Sequence, residues 1–198
     1  LVNIFMLTSK PIFNPETCTL LLELHDNQAD FYPADLDLEA DKNGFQKKDE
    51  LHVTVLGFKN GQAVKDVLDK VGDKETVLEE IINMAEGMDW SFGLKSEKYY
   101  ISKPGRESII RMVDLPGVAN FYDRLNGLLG TDFEIPPAHI TLYTKGSDEK
   151  SYVGIGINSW SEFEKLNPRP VLAKKQVAST TYNKIILPTR PQPDTIVA

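Results

Sequence analysis

The sequence predicts an α+β fold in which one order of strands and helices occurs twice. Three observations predict it: short apolar runs that alternate with polar residues, longer stretches with apolar residues at helical spacing, and one tetrad pattern set in a strand in each half.

Thr17 to Leu24 is a leucine-rich and β-branched run that ends at the polar His25-Asp26-Asn27-Gln28, so it reads as a strand followed by a turn. Residues 33–50 are dense in Asp, Glu and Lys around Gly44 and show no sustained apolar period, which predicts an exposed connection. Leu51 to Phe58 alternates and stops at Lys59-Asn60-Gly61. Val64, Val67, Leu68 and Val71 then fall at helical spacing up to Gly72. A second helix is predicted from Lys74 to Gly87, with Val77, Leu78, Ile81, Ile82 and Ala85 on one stripe and carboxylates in its first turns.

From Trp90 to Val113 the chain reads as antiparallel strands, broken by the Lys103-Pro104-Gly105 turn. Gly117 to Gly130 places Val118, Phe121, Leu125 and Leu128 on one helical face, and Ala138 to Tyr143 alternates as a strand, so the order of the first half recurs. Further on, Tyr152 to Ile157 reads as a strand, Trp160 to Leu166 as a short helix, and Gln176 to Leu187 as one or two strands before a proline-bearing tail. The reading is one domain, residues 1–198, of two similar lobes.

The 198 residues are 41% hydrophobic and 26% charged, a globular balance. Twenty-nine acidic against 22 basic residues leave a formal charge of −7, which argues against the broad basic face that duplex nucleic acid demands. A small substrate or a strand end remains compatible with that charge. Cys18 is the sole cysteine, so no intrachain disulfide forms, and a cytoplasmic location is expected. Leu1 to Leu7 lacks a basic leader and meets Ser9-Lys10-Pro11 before a signal core develops, and no run has the length of a membrane span. No membrane partner is expected, and a monomer is.

The chemistry lies in two matching segments, Leu51-His52-Val53-Thr54-Val55 and Ala138-His139-Ile140-Thr141-Leu142. In a strand, residues i and i+2 share a face, so each segment projects one imidazole and one hydroxyl together, while Val53, Val55, Ile140 and Leu142 face the core. If the halves pack about a pseudo-twofold axis, two imidazoles and two hydroxyls meet one ligand. A lone copy would be an ordinary polar strand face. Two copies that use two of the three histidines point instead to a phosphodiester site, because histidine serves as acid or base near neutral pH and threonine hydroxyls donate to phosphoryl oxygens. Tyr143 follows on the same face by alternation and is a candidate substrate contact. His25 beside Asp26 reads as a turn histidine rather than a metal ligand, and Phe58 and Trp90 read as packing.

The paired His-x-Thr segments resemble the 2H phosphoesterase superfamily, the LigT-like RNA 2′,3′-cyclic phosphodiesterases and their relatives, whose signature is two copies of His, any residue, Thr or Ser, each flanked by hydrophobics. Both copies fit without substitution, while the rest of the chain offers only a matching order of elements from about residue 17 to 187. The resemblance implies a bilobal fold with two antiparallel sheets facing a central groove and helices outside. It also implies His52, Thr54, His139 and Thr141 as catalytic residues, no metal and no cofactor. The substrates implied are a nucleotide cyclic phosphate, an RNA 3′ end or a 2′,5′-linked oligonucleotide. The acidic stretch Asp35 to Glu50 would repel a long polyanion. A catalytically inactive module of the same fold that holds a nucleotide or RNA end is the alternative, and the intact histidines argue against it.

Overall fold

The computed structural model describes residues 7, 9–24, 31–32, 34–146 and 154–171. Its elements run β1 (Ser9–Asn14), β2 (Thr19–Leu24), α1 (Ala34–Lys42), β3 (Gln46–Lys47), β4 (His52–Leu56), α2 (Phe58–Leu68), α3 (Lys74–Gly87), β5 (Gly93–Lys103), β6 (Arg106–Asp114), α4 (Gly117–Leu129), β7 (His139–Gly146), α5 (Trp160–Lys165) and β8 (Arg169–Pro170). The fold is mixed α and β with antiparallel strand pairing.

The described strands form one sheet in the order β1-β2-β4-β7-β6-β5-β8, with β3 added to β7. Two facing sheets were expected from the motif resemblance, and the described strands form a single sheet instead. The physical reason is that the motif strands pair directly with each other, Val53 opposite Ile140, so the halves join edge to edge. The internal repetition survives in this form. On one side of the seam stand β1, β2 and β4, on the other β5, β6 and β7, each half an outer hairpin next to a motif strand.

The two faces of the sheet are buried differently. Val64 and Leu68 of α2, Ile81 and Met84 of α3, and Phe121 and Leu125 of α4 share a large core with Leu20, Leu22, Val53, Val55, Ile140 and Leu142. Removing these apolar surfaces from water is the main stabilising term for the sheet. The opposite face carries a smaller cluster in which Ile155, Ile157 and Phe163 of α5 pack on Ile101, Ile110 and Met112. That cluster covers only the β5 and β6 side of the second face. On the β1 and β2 side, Ile12 remains 43% exposed.

Several boundaries depart from the sequence reading. Residues 33–50 contain α1 and β3 rather than a bare connection. Leu36 and Ala40, four apart, are buried, and the surrounding charged residues mask that narrow stripe in the sequence. The strand before α2 ends at Leu56, and Asn60-Gly61 lies inside the helix. Gly61 is there for close packing rather than for a turn, because a Cβ on it would sit 2.5 Å from the Thr17 carbonyl oxygen. β1 was not foreseen. It returns into β2 through a turn in which the Asn14 side-chain oxygen accepts the backbone N–H groups of Glu16 and Thr17. Of the segment read as a strand from Tyr152 to Ile157, the described residues 154–157 have no strand partner. The strands read between Gln176 and Leu187 lie outside the described residues, as does His25.

Candidate functional site

The site is built at the seam. Since β4 and β7 are antiparallel with Val53 opposite Ile140, one step either way sets His52 opposite Thr141 and Thr54 opposite His139. Val53 and Ile140 point into the core with no exposure, so the other four side chains share the opposite face. Directly opposed residues on an antiparallel pair stand about 5 Å apart at Cβ, so the two imidazoles and two hydroxyls form the corners of one small quadrilateral. The proximity of the rings also appears electrostatically, as His52 is among the groups that lower the pKa of His139.

Both motif strands bulge at the residue after threonine. The register of β4 against β2 shifts between Leu20 and Leu21, leaving Val55 as the extra residue, and that of β7 against β6 shifts between Ile109 and Ile110, leaving Leu142 extra. A bulge turns the residues beyond it to the other face. Tyr143 is therefore corrected: strict alternation would bring it beside Thr141, but the bulge carries it into the large core. There it is 2% exposed, meets Tyr32 edge to face and donates its hydroxyl to Asp37. It does not share the face of the two histidines. Asp37 also pairs with Lys47, so this carboxylate of the acidic stretch is engaged behind the sheet.

The two histidines differ in setting. His139 is 7% exposed and its Nδ1 lies 2.7 Å from the Pro137 carbonyl oxygen. The neutral ring therefore carries its proton on Nδ1, donates it to that oxygen and keeps a lone pair on Nε2. Burial lowers its pKa below the ordinary histidine value, with the bond to Pro137 opposing and His52 adding to the fall. His52 is half-buried, and its pKa is also lowered, by burial first and by Lys48 next, with Glu50 opposing. Glu23 of β2 stands across the ladder from His52.

Residues 154–158 wall the site from the Thr141 corner to the Thr54 corner. A Cβ on Gly154 would come 3.2 Å from Thr141 Oγ1, so the backbone passes closely over that hydroxyl. A Cβ on Gly57 would lie 2.8 Å from Asn158 Oδ1 and 3.6 Å from Thr54 Cγ2, which sets the Asn158 amide at the Thr54 corner. Asn158 is held by Glu162, whose Oε2 accepts its Nδ2 at 2.9 Å and its backbone N–H at 3.0 Å. Glu162 is in turn paired with Lys59, which chiefly holds its carboxyl at about 2. Gly154 and Asn158 were missed in the sequence. Their one signal is the alternation of Ile155 and Ile157 with Gly154, Gly156 and Asn158, which says that one side is inward and nothing about what the other side meets.

Among the described residues no three His, Cys, Asp or Glu side chains gather as a metal site would need. No helix of the described residues is long and apolar enough to cross a membrane. Comparison with family models, with curated proteins and with solved structures found no match.

Proposed function

We propose that the chain is a phosphodiesterase of the two-histidine kind that acts on a cyclic phosphate, an RNA 3′ end or a 2′,5′-linked phosphodiester by general acid and base catalysis without a metal ion. The observation that carries this reading is the cross-strand quadrilateral of His52, Thr141, Thr54 and His139. The halves on either side of the seam act as the two lobes of the enzyme, each supplying one histidine and one threonine.

His139 is the base and His52 the acid. Buried and anchored through Nδ1, His139 keeps its Nε2 lone pair free, and that lone pair takes a proton from water as the water oxygen attacks phosphorus. His52, less buried and near Glu50, accepts a proton more readily once an anionic phosphate sits between the rings. As the P–O bond to the ribose breaks, its imidazolium protonates the departing oxygen. Thr54 and Thr141 donate to the non-bridging oxygens throughout. The cycle ends with His139 protonated and His52 neutral, and exchange with water restores both.

The test is the pH dependence of cyclic nucleotide hydrolysis in the presence of a chelator. The profile of kcat/KM should be bell-shaped, and both limbs should fall below the ordinary histidine value of about 6.5, because both rings are lowered in the free protein. In kcat the limbs should move up, since bound phosphate favours the imidazolium. Activity abolished by the chelator and restored by zinc or manganese would overturn the reading.

A further inference from the structure

Behind the sheet, on the face away from the histidines, lies a recess of about 640 Å³ between α1 and the β5 and β6 end. The faces are assigned by pairing. Tyr100 at the recess stands opposite Ile109 of the large core, whereas Ile110 and Ile101 belong to the cluster on the histidine side. The helices α2 to α4 cover the other end of this face, and α1 closes one side of the recess through Leu36 and Ala40. A neighbouring hollow of about 380 Å³ shares Tyr100, Glu107 and Lys145 with it.

The charge around these hollows is opposite to that of the chain. Lys103, Arg106, Lys145 and Arg169 line them with Glu107 as the one carboxylate, in a protein of net charge −7. Glu107 lies 3.6 Å from Lys145, and among the described residues Lys103, Arg106 and Arg169 have no carboxylate partner. β8 sets Arg169 against Tyr100, with the guanidinium carbon 4.1 Å from the ring centre. A guanidinium stacked on a tyrosine leaves its outer plane for a flat ring. Phe45 meets Tyr100 edge to face at 6.1 Å and lies under Lys145.

We propose that this recess binds a mononucleotide-sized phosphate ester that carries an aromatic ring, as a second site separate from the histidine pair. Its volume falls within the range of small-ligand sites, and its lining combines apolar walls with a few convergent charges. The ring lies on the Arg169 and Tyr100 stack beside Phe45, and the phosphate is held by Lys145. This second site is independent of any phosphodiesterase activity at the histidine pair. β7 links the two sites, carrying His139 and Thr141 on one face and Lys145 four residues beyond Thr141 at the recess.

The experiment is calorimetric titration of the full chain with 5′-AMP, adenosine and inorganic phosphate, made in the His52→Ala/His139→Ala background so that the histidine site does not contribute. The expected result is saturable binding of 5′-AMP, with adenosine and phosphate each weaker by about tenfold or more, the scale of one lost charge-assisted contact. Arg169→Ala added to that background should weaken 5′-AMP by about tenfold. Lys145→Ala, which lies on β7 away from the short β8 and leaves it intact, should do the same. Absence of saturable 5′-AMP binding in the double-histidine background, or affinity unchanged in both cation variants, would overturn the proposal.

Discussion

β4 and β7 carry the same four-residue logic and share the same bulge after threonine, yet they sit in different surroundings. The β4 histidine stands half-buried on the open side of the sheet. The β7 histidine is buried and tied by Nδ1 to Pro137. A repeated motif thus yields two chemically unequal imidazoles, and inequality is what an acid and base pair requires. The direct pairing of β4 with β7 supplies the constellation, and the different burial of the two rings makes it unequal.

The largest effect that can break this comparison is loss of either imidazole. His52→Ala and His139→Ala should each lower kcat by about 10³-fold, and the double variant should be little worse than either, because the pair works as one unit. Steady-state kinetics on a cyclic nucleotide check this, and additive losses would mean that the rings act separately. Thr54→Val and Thr141→Val should each cost about 10²-fold in kcat, the scale of one removed oxyanion donor. Gly154→Ala should cost less than that and act only at the β7 side, by pressing a methyl on Thr141 Oγ1; an unchanged kcat would mean that the wall does not position the hydroxyl.

Stability should separate the rings from the rest of the chain. Both histidines are lowered when folded, so the unfolded chain binds protons more readily, and they subtract stability as pH falls through about 6.5 while costing none above it. Urea midpoints at pH 5 and pH 7.5 should therefore differ less in His52→Asn/His139→Asn than in the wild type. A difference as large as in the wild type would contradict the lowered values. The smallest effect belongs to Tyr143→Phe, which should lose about 1 kcal/mol of stability with its bond to Asp37 and leave turnover unchanged.

The parts legible in the sequence are those governed by local period. The helices over α3 and α4, the alternation in β4, and the core positions of Val53, Val55, Ile140 and Leu142 follow from spacing alone. The parts that were not legible depend on partners distant in the chain. Whether two motif strands lie in separate sheets or side by side is decided by their edges, which the sequence of either strand does not report. The bulge at Leu142 moves Tyr143 to the other face with no glycine to signal it. Gly57 and Gly154 fall inside stretches read as strands, and nothing in their spacing tells that Asn158 and Thr141 lie against them.

In the proposed mechanism one histidine from each half acts on a single phosphodiester. The most direct measurement is hydrolysis of 2′,3′-cyclic mononucleotides, cyclic-phosphate-ended RNA and 2′,5′-linked oligonucleotides by wild type, His52→Ala and His139→Ala in EDTA. Turnover of at least one substrate by the wild type and its loss in both variants is the expected result. Turnover that survives in either variant, or no turnover of any of these substrates by the wild type, would contradict it, and the second result would favour a module that holds a nucleotide without cleaving it.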